Sequence, residues 1–492
     1  MAAASDEWSV NANEALHISL VQPGSKALTV RHDFHPEFTY PIVGEAEQIF
    51  GYKDLDINLQ FAAHDLRPHL HISYSKKFPA VGTTSALDLK KTLKPFLPPT
   101  AFESNFDSQI LEDANATDWT PPGSFVKGYT RGREHFEIWA GSLLEVPMRS
   151  LVDNIQILIL FFIEGGQFIN LEDVDWTLDR WRVYLVYHKS SSPSVTNASP
   201  YTFIGYATTY RFYKFDAAKS RAATNVFTFP AIQKITPNKL SSRLRISQFL
   251  ITPPYQQAGH GSALYQAIYA EVMSDQTIVE MTVEDPSEEF DKLRDMNDFD
   301  VLEPQFKAAG IQINDSPFAS SERRRISRVP TATLLPLDKL QEIRSRNKMA
   351  SRQFARMVEM YLLAQVPHSH RASGGASLTS LTVKGSRAKN ADDRRYYWWR
   401  LLLKQRIMKK NKDLLQQVTP EERVPQIDDS ARAQEDEYEG LLLTYGLRRS
   451  NEEERQGNGE SAVRKRKVIE SDDDDDDDES DGASEGSKRQ RL

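Results

Sequence analysis

Polar and apolar positions divide this chain into blocks with different periods. Tyr52–Phe61 alternates polar with apolar, as a half-buried strand does, and His69–Tyr74 does likewise. Leu143–Phe162 predicts a helix that becomes apolar all round towards its end and is therefore buried. Trp181–Tyr187 and Phe203–Tyr213 predict two strands of a hairpin across a Ser/Pro/Asn-rich loop, and Arg243–Ile251 predicts a third strand. Ser262–Met273 is apolar at helical spacing, and Ile278–Val283 returns to strand. Beyond Asp300 the character changes. Leu337–Asn347, Ser351–Gln365, Arg394–Gln416 and Ala431–Tyr445 are rich in Leu, Arg, Gln and Glu at helical spacing.

Other stretches punctuate these elements. Pro98-Pro99 and Pro121-Pro122 mark loops, and the Ser/Gly/Lys-rich stretch 367–391 predicts a mobile linker. After Ser450 the chain is low in complexity, and the unbroken run Asp472–Asp478 has no apolar surface to bury. The pattern predicts an α+β protein in four blocks. These are a mixed N-terminal domain over 6–150, a central domain over 151–300, a helical C-terminal domain over 301–450, and a disordered acidic and basic tail over 451–492.

Composition narrows the classes. The 492 residues are 39% hydrophobic and 10% aromatic, enough for a substantial core. The absence of cysteine excludes disulfides, a cysteine nucleophile and cysteine-ligated zinc. The first eight residues lack a basic start and an apolar run, so no secretory signal is expected. The longest apolar run, Ile155–Ile163, is too short to span a bilayer, and no membrane partner is expected. Net charge is −8, and from Asn451 onward 15 acidic and 8 basic residues carry −7 of it. The near-neutral remainder argues against direct nucleic-acid binding by bulk charge. The basic clusters Arg464–Lys467 and Lys488–Arg491 fit nuclear localisation signals. His69 and His71 share a strand face without an evident third ligand, so no metal is expected.

The chemistry concentrates in Leu244–Pro286. A strand is followed by Pro253-Pro254, the loop Gln256-Gln257-Ala258-Gly259-His260-Gly261, a helix, a second strand, and Glu284-Asp285-Pro286. Unpaired N–H groups at a helix start bind phosphate, and glycines let the backbone approach it. A carboxylate ending the neighbouring strand is a candidate general base. Asp285-Pro286 is also a candidate cap for a helix over Ser287–Met296.

This ordered set resembles the GCN5-related acetyltransferases, whose cofactor motif Gln/Arg-x-x-Gly-x-Gly/Ala appears as Gln256, Gly259 and Gly261. Together with Phe249-Leu250-Ile251, Glu284-Asp285-Pro286 and Leu293-Arg294-Asp295, it is similar to the type B histone acetyltransferase catalytic subunits over about Thr39–Asp295. The resemblance implies a central domain with a mainly antiparallel sheet flanked by helices, and acetyl-CoA as acetyl donor. It implies cofactor contacts at Phe249, Leu250, Ile251, Gln256, Gln257, Ala258, Gly259, His260, Gly261, Ser262 and Ser287. It implies Glu284 as general base, adapted by partial burial, with Glu164 and Asp285 as secondary candidates. It further implies substrate contacts at Glu45, Ala46, Glu47, Trp181, Tyr210, Arg211 and Phe212, where Arg211 is an odd neighbour for a cation. Glu172, Asp173, Asp175 and Asp179 add negative charge near Trp181. The implied substrate is lysine in the N-terminal tail of free, newly made histone H-four, the implied partner a WD-repeat histone-binding subunit, and the expected location nucleus and cytoplasm. Two other readings stand beside this one: an acetyltransferase acting on other protein amines, and a histone-binding chaperone without catalysis.

Overall fold

The computed structural model describes residues 7–171, 174–191, 195, 197–214, 240–318, 329–373 and 389–469. Near the N-terminus, β1 (Leu16–Pro23), β2 (Leu28–Phe34), β3 (Asp56–Ala62) and β4 (Pro68–Ser73) form a sheet in the order β2-β1-β3-β4. The alternating stretch Tyr52–Phe61 is broken after Lys53, and its second part forms β3 with Ile57, Leu59 and Phe61 inward.

The central sheet has six strands: β5 (Ser124–Arg131), β6 (Glu134–Ser142), β7 (Trp181–Lys189), β8 (Tyr201–Tyr213), β9 (Ser242–Ile251) and β10 (Ile278–Val283). Neighbours from β5 to β9 pair antiparallel, and β9 pairs parallel with β10. That parallel step requires a crossover, which α3 (His260–Ser274) supplies. The far edge of β10 is covered rather than open. Met281 N–H donates to the Lys348 carbonyl, and Met281 bridges Met349.

Each face of the sheet is buried. On one face Tyr184, Val186, Ile204, Leu244 and Ile246 pack on Ala263, Leu264 and Ile268 of α3. On the other, Val183, Leu185, Tyr187, Phe203 and Leu250 share a core with α1 (Val146–Ile155), α2 (Ile157–Phe162) and the N-terminal sheet. The predicted helix over Leu143–Phe162 is thus two helices meeting at Gln156, and all six residues of α2 are buried. Because one core spans both sheets, no boundary falls near residue 150.

Nor does one fall at 300. The helix after β10 is α4 (Glu288–Ala308), longer than expected, and its buried Asp295 and Asp298 accept from Gln353 and Arg356 of α6 (Ser351–Ala364). With α5 (Leu337–Arg346), these helices belong to the same compact unit as the sheets. That unit comprises 1–365 and 382–399, and includes the start of α7 (Ala391–Lys410). Within it the Trp399 indole donates to the Glu359 carbonyl, so this end of α7 is core.

The second unit comprises 366–381 and 400–492. In it Arg400 and Lys404 pair with Asp428 of α8 (Pro420–Ile469). Helix α8 runs well past Ser450, where a disordered tail was expected, because Glu, Arg and Lys between 452 and 467 are good helix formers. The aspartate run and the cluster Lys488–Arg491 lie outside the described residues, as do Glu172, Asp173, the side chain of Asp175 and most of the linker 367–391.

Candidate functional site

The loop between β9 and α3 is shaped by two residues in the left-handed region, Gln257 at φ 57° and Gly259 at φ 84°. Gly259 is the N-cap and offers no side chain, so the N–H groups of His260, Gly261 and Ser262 have no partner among the described residues. Gly261 lies close against α4. A Cβ there would lie 2.6 Å from Leu293 Cδ1 of α4. The side chains of the loop serve the scaffold. Gln256 donates to the Ile251 carbonyl at 3.1 Å, and Ser262 accepts from Asn297 at 3.1 Å. His260 is buried, bonds the Tyr129 hydroxyl at 2.8 Å and lies 4.5 Å from the Phe136 ring. Burial first, then Arg131 and His188, lower its pKa to about 4, so the ring is neutral. Gln257 and Ala258 are exposed.

A residue the sequence reading missed stands beside this loop. Arg131, at the end of β5, donates to the Gly259 carbonyl at 3.2 Å and lies over the Tyr129 ring. Nothing in the local pattern of a hairpin arginine signals it, because the contact spans 128 residues.

Beyond the loop the sheet opens. The β9–β10 pairing ends at Ile246 and Val283, and the last rung is Glu284 N–H donating to the Ile246 carbonyl at 2.9 Å. From Gln248 to Ile251, β9 pairs among the described residues with β8 alone, so the backbone of Phe249, Leu250 and Ile251 borders an edge that none of them covers. Ser247 is the extra residue of a bulge opposite Thr208 and Thr209. It shifts the facing pattern: Leu244 and Ile246 face α3 before it, Ile251 after it, while Leu250 faces the other core.

Glu284 sits at the mouth of this opening, its side chain 40% exposed. Its Oε2 accepts from Ser247 Oγ at 2.7 Å and lies 3.1 Å from Arg245 Nη2. The burial expected to adapt it is absent; hydrogen bonds and an arginine define its surroundings instead. Asp285 follows at φ 29°, a strained backbone for an aspartate. It does not cap α4. Ser287 does, accepting from Phe290 N–H at 3.2 Å, because Asp285 lies two residues too early.

Glu164 is exposed in the turn after α2. Another carboxylate, Glu37, is tied to the same segment through its N–H, which donates to the Phe161 carbonyl. Desolvation and then the charge of Glu289 raise the pKa of Glu37, an acid the sequence offered no reason to single out. Gln248 donates to the Gln167 carbonyl at 3.0 Å, fastening the segment after α2 onto the sheet.

On that same sheet face Trp181 and Tyr210 lie 4.8 Å apart between ring centroids, and Tyr210 and Phe212 likewise 4.8 Å. Arg211 projects to the opposite face, where it pairs with Asp275 at 2.5 Å and Thr277 at 3.1 Å, as strand alternation requires. There it lines a cavity of about 500 Å³ with Arg182, Tyr184 and Glu271, away from Glu284. Glu45 and Ala46 are exposed in a turn. Glu47, at φ 50°, turns inward; its carboxylate accepts from the N–H groups of Thr39 and Tyr40 and from Asn13, and the Thr39 bond above all lowers its pKa.

Among the described residues one trio, His64, Asp65 and Asp113, gathers metal-ligating atoms. The Arg67 guanidinium already bridges its two carboxylates, at 2.5 and 2.6 Å. His69 stacks on Phe106 at 5.0 Å.

A free strand edge that runs to unpaired N–H groups can hold a long carrier by its phosphates. A carboxylate at the opening can take a proton from an incoming nucleophile. Together these meet the requirements of a group-transfer enzyme. Comparison with known proteins narrows the class. Residues 8–164 match the family described as Histone acetyl transferase HAT1 N-terminus, and 323–366 match Fungal HAT1, C-terminal. The chain is 45% identical to the histone acetyltransferase type B catalytic subunit of Aspergillus oryzae, over 91% of this chain and 88% of that protein. It is 45% identical to the Aspergillus fumigatus protein of that name, over 90% and 78%, and 31% identical to the Candida albicans one, over 74% and 78%. The chain belongs to the family of histone acetyltransferase type B catalytic subunits.

Proposed function

We propose that this chain transfers acetyl from acetyl-CoA to the ε-amino group of lysines in the N-terminal tail of free, newly synthesised histone H-four. The observation that carries the reading is the splayed β9 edge, which has Glu284 at its opening and the unpaired N–H groups of 260–262 at its end. Acetyl-CoA is a substrate in this reading, with its pyrophosphate on those N–H groups and its pantetheine arm along Phe249–Ile251. A lysine ammonium, with an ordinary pKa of about 10.4, must lose a proton before it attacks. Glu284 has the position to take it, directly or through a water. The free backbone N–H groups of β9 are the donors available to the oxyanion that follows. A cationic tail suits the aromatic row Trp181–Tyr210 and the exposed acids Glu45 and Glu164. A WD-repeat histone-binding subunit is the proposed partner, and nucleus and cytoplasm the proposed locations.

The test is acetyl transfer from labelled acetyl-CoA to free histones, with Glu284→Gln beside the wild type. Labelling of histone H-four that is lost in the variant, while acetyl-CoA still binds, supports the reading. Histone binding without labelling by the wild type would instead favour a chaperone. Labelling of free N-termini in preference to lysine tails would move the acceptor class.

A further inference from the structure

We propose that Arg245 is the positioning residue for Glu284, seated by Phe212 at the end of the row Trp181–Tyr210–Phe212. An aromatic and cationic strut would then run from the acceptor side of the sheet to the base. The inference rests on reading Glu284 as that base.

Arg245 and Ser247 flank Ile246, whose carbonyl takes the Glu284 N–H. The bulge at Ser247 turns its hydroxyl onto the same carboxylate that Arg245 meets. Both contacts fall on Oε2, at 2.7 and 3.1 Å, while Oε1 accepts nothing among the described residues. A glutamate 40% exposed at a strand end would otherwise sample many rotamers. Two donors on one oxygen fix the head group and leave the other oxygen as the proton acceptor.

The arginine is itself held. Its Cζ lies 4.6 Å from the Phe212 ring centroid, and its buried Nε has no hydrogen-bond partner among the described residues. The ring and the carboxylate are therefore what fix the guanidinium. Phe212 leans on Tyr210, Tyr210 on Trp181, and Arg180 donates to the Tyr210 hydroxyl at 3.3 Å. A planar guanidinium can stack and pair at once, which an ammonium does less well.

The experiment is a double-mutant cycle on the full chain, with acetyl-CoA and a histone H-four tail peptide as substrates. Arg245→Met should lower kcat about 10- to 100-fold with the KM for acetyl-CoA unchanged, as expected for a misplaced catalytic group. Arg245→Lys should recover only part of this. Adding Arg245→Met to Glu284→Gln should cost nothing further, because the arginine acts through the carboxylate. Phe212→Leu, which removes the seat and leaves every charge in place, should lower kcat in the same direction. It carries the test should Arg245→Met fail to fold. Wild-type kcat in Arg245→Met, or an equal loss in both backgrounds, overturns the proposal. Full activity of Glu284→Gln alone would sink the base assignment, and the strut with it.

Discussion

At the scale of single residues, the loop between β9 and α3 divides its work between backbone and side chain. Gln256 occupies the motif position where an arginine is the alternative, and its amide is spent on the Ile251 carbonyl. His260 is neutral and packed inward. A cation that touches the loop backbone is Arg131, which comes from a hairpin distant in sequence. If acetyl-CoA binds as proposed, Arg131 faces the phosphates and not the thioester. Arg131→Ala should therefore raise the KM for acetyl-CoA about tenfold, in keeping with a charge-assisted contact at an exposed site. The KM for S-acetylpantetheine, which lacks the pyrophosphate, should not change. An equal rise for both donors would mean that Arg131 only braces Gly259.

At the scale of elements, the two ends of α3 are finished differently. The N–H groups of its first turn have no partner among the described residues, while its last turn is closed by Lys348, whose Nζ donates to the carbonyls of Val272 at 2.8 Å and Asp275 at 2.7 Å. A cation on the last carbonyls also suits the helix dipole. Lys348→Met should lower unfolding free energy by about 1–2 kcal/mol, read from denaturant midpoints at constant slope. An unchanged midpoint would show that water replaces the ammonium without loss. The strand, loop, helix and second strand of this region were legible in the sequence because each is set by local periodicity and glycine placement. The bulge at Ser247 left a trace, since Ile246 and Phe249 stand three apart in an otherwise alternating run. The opening of β9 from β10 left none. It depends on where β10 stops pairing, and that follows from the turn at Asp285 and the packing of α4. The cap showed the same limit: Asp285 and Ser287 are both acceptable N-cap residues, and only the path of the chain selects Ser287.

At the scale of the molecule, the composition shift at Asp300 pointed to a separate helical domain, yet α4 and α6 are bound to α3 through buried charge. Tyr265 of α3 donates to Asp298 at 2.7 Å, Gln353 of α6 donates to both Asp298 and Asp295, and Arg356 pairs with Asp295. Arg294 lies 3.5 Å from Asp298, and Asp291 and Arg352 are further charged groups beside the cluster. Such a network ties three helices in one register, because removing any member leaves a buried group unpaired. It also carries a pH signature. Burial pushes the Asp298 carboxyl up to about 6, against the opposing pull of Arg294 and of the bonds from Tyr265 and Gln353. In the unfolded chain an aspartate titrates near 3.9. Between those values the folded protein keeps a proton that the unfolded chain has released. Stability therefore falls as pH rises through that window and is level above it, by about 3 kcal/mol in all for a shift of about two units. Asp298→Asn keeps an acceptor for Tyr265 and removes the titration. Urea unfolding of the full chain at pH 4, 5, 6 and 7 should show the variant weaker than the wild type at pH 4. The difference should shrink or reverse by pH 7. Neighbouring acids titrate in both proteins and cancel in that difference. Parallel stability curves for the two would mean that Asp298 stays ionised throughout, held by Arg294.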